Sequence, residues 1–169
     1  MAAKILNEKN YNSAKRLKFI ITGEASFGEE EYEMQIRKMA EDLGLKNIIF
    51  TGYRNDTKNI LSAMDIFVFP SHAESFGLAL AEAMAMELTS ASSNSDGVLD
   101  ITVDNETGFL FKNKDPEDLA EKIFKLVSDP QLREKFGRAA RQRVIENFNI
   151  ENQSDKILEI YKSLIKVKE

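Results

Sequence analysis

Short apolar segments that alternate with helical ones constrain the fold of this chain most. "KFIIT" (18–22), "NIIFTG" (47–52) and "DIFVF" (65–69) are apolar at successive positions, which predicts strands buried on both faces. Between them, residues 29–45 and 56–64 carry apolar side chains at helical spacing. Strands of this kind, separated by helices, are typical of a parallel sheet with helices on both faces. The sequence therefore predicts an α/β fold.

The second half of the chain continues this alternation and ends in helices. The pattern predicts a helix at 77–86, a strand near 89–93, a short helix near 97–103 and a strand at 108–111. Three helices follow; the first two begin at an Asp N-cap followed by Pro, and the last carries one apolar stripe. The stripe consists of Ile157, Leu158, Tyr161, Leu164 and Ile165.

Composition limits the classes of function. A chain of 169 residues with 43% hydrophobic content provides a single domain with one core. The net charge of −5 argues against a nucleic-acid surface, which needs a basic field. The chain has no cysteine and one histidine, His72, which excludes disulfides and most zinc sites. No apolar run reaches the roughly 18 residues that span a bilayer. We expect a cytoplasmic domain without a transmembrane segment.

The segment that follows the third strand carries the strongest functional signal. Ligands of parallel sheets bind outside the carboxyl ends of the strands, which here places them after Thr22, Thr51, Phe69 and Ser93. A loop with Glu74 follows Phe69, and a helix begins near Gly77. The unpaired amides at this helix start would form an anion site, most often filled by phosphate. These amides belong to Ser75, Phe76, Gly77 and Leu78.

Glu82 is a second carboxylate, one turn after Leu78 on the same face of an otherwise apolar helix. A helix this apolar is expected to be buried on most sides, so its carboxylate needs a partner from another segment or from ligand hydroxyls. Glu74 and Glu82 on either side of an anion site suit a ligand with phosphates in the middle and a polyol at each end. A nucleotide sugar has this chemistry.

The stretch "DIFVFPSHAESFGLALAEAMA" resembles the E-x7-E glutamate pair of retaining glycosyltransferases with the GT-B fold, in family 4 or group 1. Further resemblance lies in "NSDGVLDITVDNETGFLF" and "DPEDLAEKIFKLVSDPQLREKFGRAARQRV", and it extends from about residue 17 to the end. Members of this family have two Rossmann-like domains that face each other across a cleft. The C-terminal domain binds the sugar nucleotide, and this chain is similar to that domain.

The resemblance implies a role for each candidate residue. Glu74, the candidate catalytic residue, would hold hydroxyls of the donor hexose, and Glu82 would hold those of the ribose. Beside Ser75, the amides of Phe76, Gly77 and Leu78 would hold the diphosphate and the sugar. The nucleobase would lie against Gly52, Tyr53 and Arg54, and the cleft would be lined by Gly23 and Glu24. The donor is expected to be a UDP-, GDP- or ADP-linked sugar, and no metal or other cofactor is expected.

Two departures from the family pattern stand out. Residues 1–169 resemble a single nucleotide-sugar-binding domain without the N-terminal acceptor domain, and without the first strand of this domain and its "GR…KG" cations. Lys15, Arg16 and Lys18 precede the strand at 18–22 and so lie at its wrong end for this role. We therefore expect little turnover from this chain alone, and a saccharide or lipid acceptor held by the other domain.

The second departure is the polar segment "MELTSASSNSDG" (86–97). Glu87 stands where the family favours a helix-ending Gly, Thr89 where it favours Pro, and Asp96 where it favours a Gly near the phosphates. Ser90, Ala91 and Ser92 stand where a buried strand favours Val or Ile. We expect a weakened central strand and a poorer phosphate site. The alternative function is a non-catalytic α/β module, and surfaces exposed by truncation, including the final helix, could form a homodimer.

Overall fold

The computed structural model describes residues 1–9 and 17–166. Helices and strands alternate from β1 to β5, and helices form both ends of the chain. The helices are α1 (Ala2–Glu8), α2 (Glu30–Asp42), α3 (Thr57–Ser62), α4 (Leu78–Ala85), α5 (Asp96–Ile101), α6 (Pro116–Ser128), α7 (Pro130–Phe148) and α8 (Ile150–Lys166). The strands are β1 (Phe19–Thr22), β2 (Ile48–Gly52), β3 (Ile66–Phe69), β4 (Thr89–Ser93) and β5 (Gly108–Phe111). The predicted strands and helices are confirmed, and α1 is an addition to them. The burial predicted for both faces of the first two strands is wrong, because Ile20 and Ile21 of β1 and Ile49 of β2 are exposed.

All strand pairs are parallel, as predicted, but the described strands form two sheets. One sheet pairs β1 with β2, and the other has the order β3-β4-β5. In the described chain β1 and β3 share no ladder of hydrogen bonds, so the two sheets are separate there. Lys18 immediately precedes β1 and so lies at the end away from the predicted ligand edge, whereas Lys15 and Arg16 lie outside the described residues.

Helices cover both faces of the three-stranded sheet. Ile66 and Val68 of β3 pack into a cluster with Leu6 of α1 and residues of α6, and Phe19 of β1 joins the same cluster. The intervening Phe67 and Phe69 pack into a second cluster on the opposite face. The second cluster is formed mainly by residues of α4, α5 and α7: Leu80, Ala81, Met84, Val98, Ile101 and Ala140. This is the three-layer arrangement that the apolar strands predict.

Strand β4 is central and fully buried in spite of its polar sequence. It pairs over its whole length with β3 and β5. The hydroxyls of Thr89, Ser90 and Ser92 are buried without a hydrogen-bond partner, whereas Ser93 Oγ donates to Ser71 O over 2.5 Å. Burying a hydroxyl without a partner costs about 1–3 kcal/mol. The backbone ladder therefore forms here, and the weakening of the strand by its side chains stays a prediction.

Helix α7 packs against the end of α4. Glu87 follows α4 with φ of 61°, the left-handed region that favours glycine, at the position where the family resemblance also favours glycine. Arg141 of α7 donates to Ala85 O over 2.6 Å. Gly137 allows this approach, because a Cβ at that position would lie 2.1 Å from Glu87 O. Through these contacts α7 fixes the position of α4.

Helix α8 leaves its apolar stripe exposed. Its side chains Ile157, Tyr161 and Leu164 are each more than half exposed to solvent. The exposure expected for this stripe is confirmed. Among the residues that the structure describes, no helix combines the length and apolar character needed to cross a membrane.

Candidate functional site

Gly77 places the start of α4 at the carboxyl end of β3. It is the N-cap of α4 and has φ of 87°, a conformation that side chains disfavour. The requirement for glycine here is therefore conformational, because a Cβ at position 77 would meet its neighbours at an ordinary 3.5 Å. The amides of Phe76, Gly77 and Leu78 donate to no group in the described part of the chain. They provide the unpaired donors that an anion site requires.

The loop that carries Glu74 is bound to the start of α5. Glu74 Oε1 accepts a hydrogen bond from Ser75 N over 3.1 Å, and Glu74 O accepts one from Gly97 N over 2.9 Å. The loop lies so close to α5 that a Cβ at position 97 would be 2.4 Å from Ser75 O. Gly97 is therefore the residue that lets α5 support this loop.

An open cavity of about 650 Å³ lies between this loop and α5. The lining residues that the structure describes are Ala73, Glu74, Ser75, Asp96, Gly97 and Asp100. Three of these six are acidic and none is basic, so the cavity holds no cation to balance a phosphate. Asp96 lines the same cavity as Glu74 and Ser75, whereas its expected position beside the phosphates stays a prediction. Within the described residues, no group of three His, Asp or Glu side chains could hold a metal ion.

Glu82 occupies an exposed position, and the expectation that it is buried is wrong. Leu78, Ala79 and Glu82 form the exposed face of α4, whereas Leu80, Ala81, Ala83 and Met84 are buried. Water solvates the Glu82 carboxylate, so it needs no protein partner. It is not among the residues that line the cavity. The exposure of Glu82 could not be read from the sequence, because Leu78 and Ala79 on the same exposed face are apolar and leave no polar pattern.

The candidate residues after β1 and β2 lie side by side. Gly23 N donates to Gly52 O over 3.1 Å, which joins the two loops. Tyr53 is 69% exposed, and Arg54 donates to both carboxylate oxygens of Asp56 over 2.7 Å each. These hydrogen bonds from Arg54 hold the pKa of Asp56 below its usual range. The guanidinium is thus already paired, which leaves Tyr53 as the exposed aromatic ring beside Gly52.

Glu33 of α2 supports the loop that carries Gly23 and Glu24. Its Oε2 accepts a hydrogen bond from Ala25 N over 2.9 Å, and its Oε1 accepts two from Arg37. The hydrogen bond from Ala25, followed by those from Arg37, keeps the pKa of the Glu33 carboxyl below its ordinary value. The residues after β1 and β2 form one group, and those around Glu74 form another that alone lines the cavity.

His72 has the role of a loop hydrogen-bond partner. Its Nδ1 lies 3.0 Å from Asn113 Oδ1, and its carbonyl accepts a hydrogen bond from Asn113 Nδ2 over 2.8 Å. The pair joins the loop after β3 to the loop after β5.

Sequence reasoning missed Gly97 and Asp100 as parts of the cavity. A glycine in the second position of a short helix is a poor helix former, and this is the signal that could have identified Gly97 as a close-packing site. Asp100 offers no such signal, because an exposed acid on a helix is ordinary. Its place in the cavity depends on how α5 packs against the loop.

Known proteins resemble this chain in sequence and in structure. Residues 1–143 match the family described as glycosyl transferases group 1. The capsular polysaccharide biosynthesis glycosyltransferase CapM of Staphylococcus aureus is 31% identical over 170 residues, which is 98% of this chain and 42% of CapM.

Two solved structures show the same fold. A mutant of TarM from S. aureus, in complex with Fondaparinux, alpha-GlcNAc-glycerol and UDP, has a TM-score of 0.82 and 30% identity over 95% of this chain and 31% of TarM. Anabaena Alr3699/HepE in complex with UDP and glucose has a TM-score of 0.86 and 22% identity over 96% of this chain and 44% of HepE. The chain thus spans less than half the length of each of these proteins.

Proposed function

Because this chain belongs to the group 1 glycosyltransferases, we propose that it is the donor-binding domain of a retaining enzyme. This enzyme transfers a hexose from a nucleoside diphosphate sugar to a saccharide or lipid-linked acceptor. The match over residues 1–143 and the 31% identity to CapM support the transferase class. The retaining mechanism and the hexose rest on the spacing of Glu74 and Glu82.

The loop from Glu74 to Leu78 carries this proposal. It combines a carboxylate at the edge of an open cavity with three amides that donate to no group in the described chain. Such amides at the N-terminus of α4 can bind the diphosphate, because the helix dipole and the free N–H groups both favour an anion. Glu74 then accepts hydrogen bonds from the hexose hydroxyls as the candidate catalytic residue, with Ser75 beside it.

The other end of the donor is proposed to extend over the exposed face of α4. Glu82 accepts hydrogen bonds from the ribose, and its solvent exposure leaves both oxygens available. The nucleobase stacks near Tyr53 and Arg54 beside Gly52, and Gly23 and Glu24 line the same cleft. Among UDP, GDP and ADP, UDP is the first donor nucleotide to test, because the TarM and HepE structures contain it.

We propose that the rest of the enzyme supplies an acceptor site and the cations that are not among the described residues lining the cavity. A domain N-terminal to this one holds the acceptor, and a strand between β1 and β3 joins the two sheets and brings cations to the diphosphate. Those cations stabilise the leaving group, so this chain alone has little turnover. A cytoplasmic location is part of the same proposal, with the inner membrane face as an alternative place for the full-length enzyme.

We propose that the exposed apolar surface of α8 allows this domain to self-associate. The stripe of Ile157, Tyr161 and Leu164 on α8 would then form a homodimer interface. Light scattering at high protein concentration tests the homodimer by measuring the molecular mass in solution. We expect a dimer mass, and a monomer mass at every concentration contradicts it.

Calorimetric titration with UDP-, GDP- and ADP-sugars tests the proposed function. Binding of one of them with a micromolar to millimolar dissociation constant supports a donor-binding domain. Failure of all three to bind at millimolar concentration contradicts it and supports the alternative, a non-catalytic α/β module.

Replacing Asp96 with glycine is expected to tighten binding of the nucleoside diphosphate, by up to about tenfold. Asp96 is exposed and lines the cavity, and two like charges about 5 Å apart repel by roughly 3 kcal/mol at an effective dielectric of 20 before solvent screening. Calorimetry measures the change. Asp96→Asn removes only the charge, and Glu106→Gln is the exposed control outside the cavity. Unchanged or weaker binding by both Asp96 variants contradicts the role assigned to this carboxylate.

A further inference from the structure

The C-terminal third of α7 supports the loop of residues 74–77 in two ways, once through α5 and once by direct contact. The first begins at Arg143, whose Nε donates to Ile101 O over 2.6 Å and whose Nη2 donates to Asp100 O over 2.7 Å. These carbonyls lie at the C-terminal end of α5, where backbone acceptors lack partners within the helix. One guanidinium therefore binds the end of α5 through two donors in a fixed geometry.

Helix α5 transmits this contact to the loop. At its N-terminal end, Gly97 N donates to Glu74 O over 2.9 Å, and its Cα lies directly against the backbone of Ser75. At its C-terminal end, Ile101 is fully buried, and its Cδ1 would be 3.5 Å from a Cβ at position 77. The helix bound by Arg143 thus touches the loop on both sides of Phe76.

The second route is direct. Phe148, the last residue of α7, packs edge-to-face against Phe76, with ring centroids 5.5 Å apart and an interplanar angle of 71°. Phe76 lies between Ser75 and Gly77, and its side chain is otherwise 40% exposed. The Phe148 ring covers part of the Phe76 side chain and so helps to fix the position of this loop residue.

We propose that Arg143 and Phe148 are positioning residues for donor binding, which fix the backbone of residues 74–77 so that its free amides converge on the diphosphate. This inference rests on the proposed function for its consequence in binding, but the loop contacts stand independently of it. A preorganised loop avoids an ordering cost when the ligand binds. Loss of either contact is therefore expected to raise the dissociation constant while most of the fold remains.

Hydrogen–deuterium exchange of the nucleotide-free protein tests the proposal. We expect two variants, Arg143→Lys, whose ammonium lacks the fixed two-donor geometry of a guanidinium, and Phe148→Leu, which keeps an apolar side chain, to speed amide exchange. The effect, roughly threefold or more, should appear at Ser75 and Gly97, because their amides form the hydrogen bonds of the loop. Exchange in β5 and α6 should not change. Arg138→Lys, at an exposed position of the same helix, is the matched control and should behave as the wild type.

Unchanged exchange of the Ser75 and Gly97 amides in both variants overturns the proposal, and so does faster exchange throughout the protein, which would show a general structural role. In parallel, calorimetry with UDP is expected to show a dissociation constant raised by about tenfold in each variant but not in the control. A wild-type protein that binds no nucleotide would refute the proposed function, whereas the exchange rates would still decide whether Arg143 and Phe148 position the loop.

Discussion

Replacing Gly97 with alanine is expected to reduce nucleotide binding by more than about tenfold. The new Cβ would lie 2.4 Å from Ser75 O, 2.5 Å from Ser75 C and 2.7 Å from Glu74 O, which are all backbone atoms. Backbone cannot move aside as the end of a flexible side chain can, so the loop must shift away from α5. The shift displaces the Glu74 carboxylate and the free amides together, and it costs about 1–3 kcal/mol of folding stability.

Leu99→Ala is the control for this variant, because Leu99 is 48% exposed on the same helix. Calorimetric titration with UDP measures binding, and thermal unfolding measures stability. A Gly97→Ala protein that binds UDP as tightly as the wild type would show that the contact between α5 and the loop does not matter for binding.

Removing three hydroxyls from β4 is expected to stabilise the protein by roughly 3 kcal/mol, about 1 kcal/mol for each group. The variant combines Thr89→Val, Ser90→Ala and Ser92→Ala, and all three hydroxyls are buried without a partner. Valine has nearly the shape of threonine, and alanine fits any space that serine fills, so no overpacking follows. The melting temperature should rise by about 6–12 °C.

Ser93→Ala is the matched control in the same strand, because Ser93 Oγ donates to Ser71 O. This substitution removes the shorter of the two hydroxyl hydrogen bonds to Ser71 O, the other being from Ser95 Oγ at 3.4 Å, and should lower stability by roughly 1 kcal/mol. Denaturant unfolding compares the two variants. A triple variant no more stable than the wild type would contradict the statement that polar side chains weaken β4.

Most of the strands could be predicted because they are short apolar runs in the sequence, although Ile20, Ile21 and Ile49 of β1 and β2 are exposed. Phe67 and Phe69 on one face and Ile66 and Val68 on the other appear as one apolar run in the sequence. Strand β4 is the instructive case. Its residues lack strand-like character, yet pairing with β3 on one side and β5 on the other holds it in register. The separation of the described strands into two sheets could not be predicted, because hydrogen bonding between non-consecutive strands leaves no local pattern.

In the candidate site, too, some positions could be predicted from the local sequence and others could not. The positions of Glu74 and Gly77 follow from local rules, namely the strand end, the loop and a glycine at the N-cap. The exposure of Glu82, the pairing of Arg54 with Asp56 and the contacts of Arg143 depend on packing between distant segments. Spacing alone identified the two glutamates, but only the structure shows that one lines the cavity and the other lies on an open helix face.

The central claim is that Glu74 and Glu82 hold opposite ends of one nucleotide sugar. Its most direct test is calorimetric titration of Glu74→Ala and Glu82→Ala with both UDP and UDP-glucose. A charged hydrogen-bond partner contributes about 1.5–3 kcal/mol, so each lost contact should weaken binding by tenfold or more. We predict that Glu82→Ala weakens binding of both ligands, whereas Glu74→Ala weakens only that of UDP-glucose. Wild-type affinity of both variants for both ligands, or the opposite pattern, would contradict the claim.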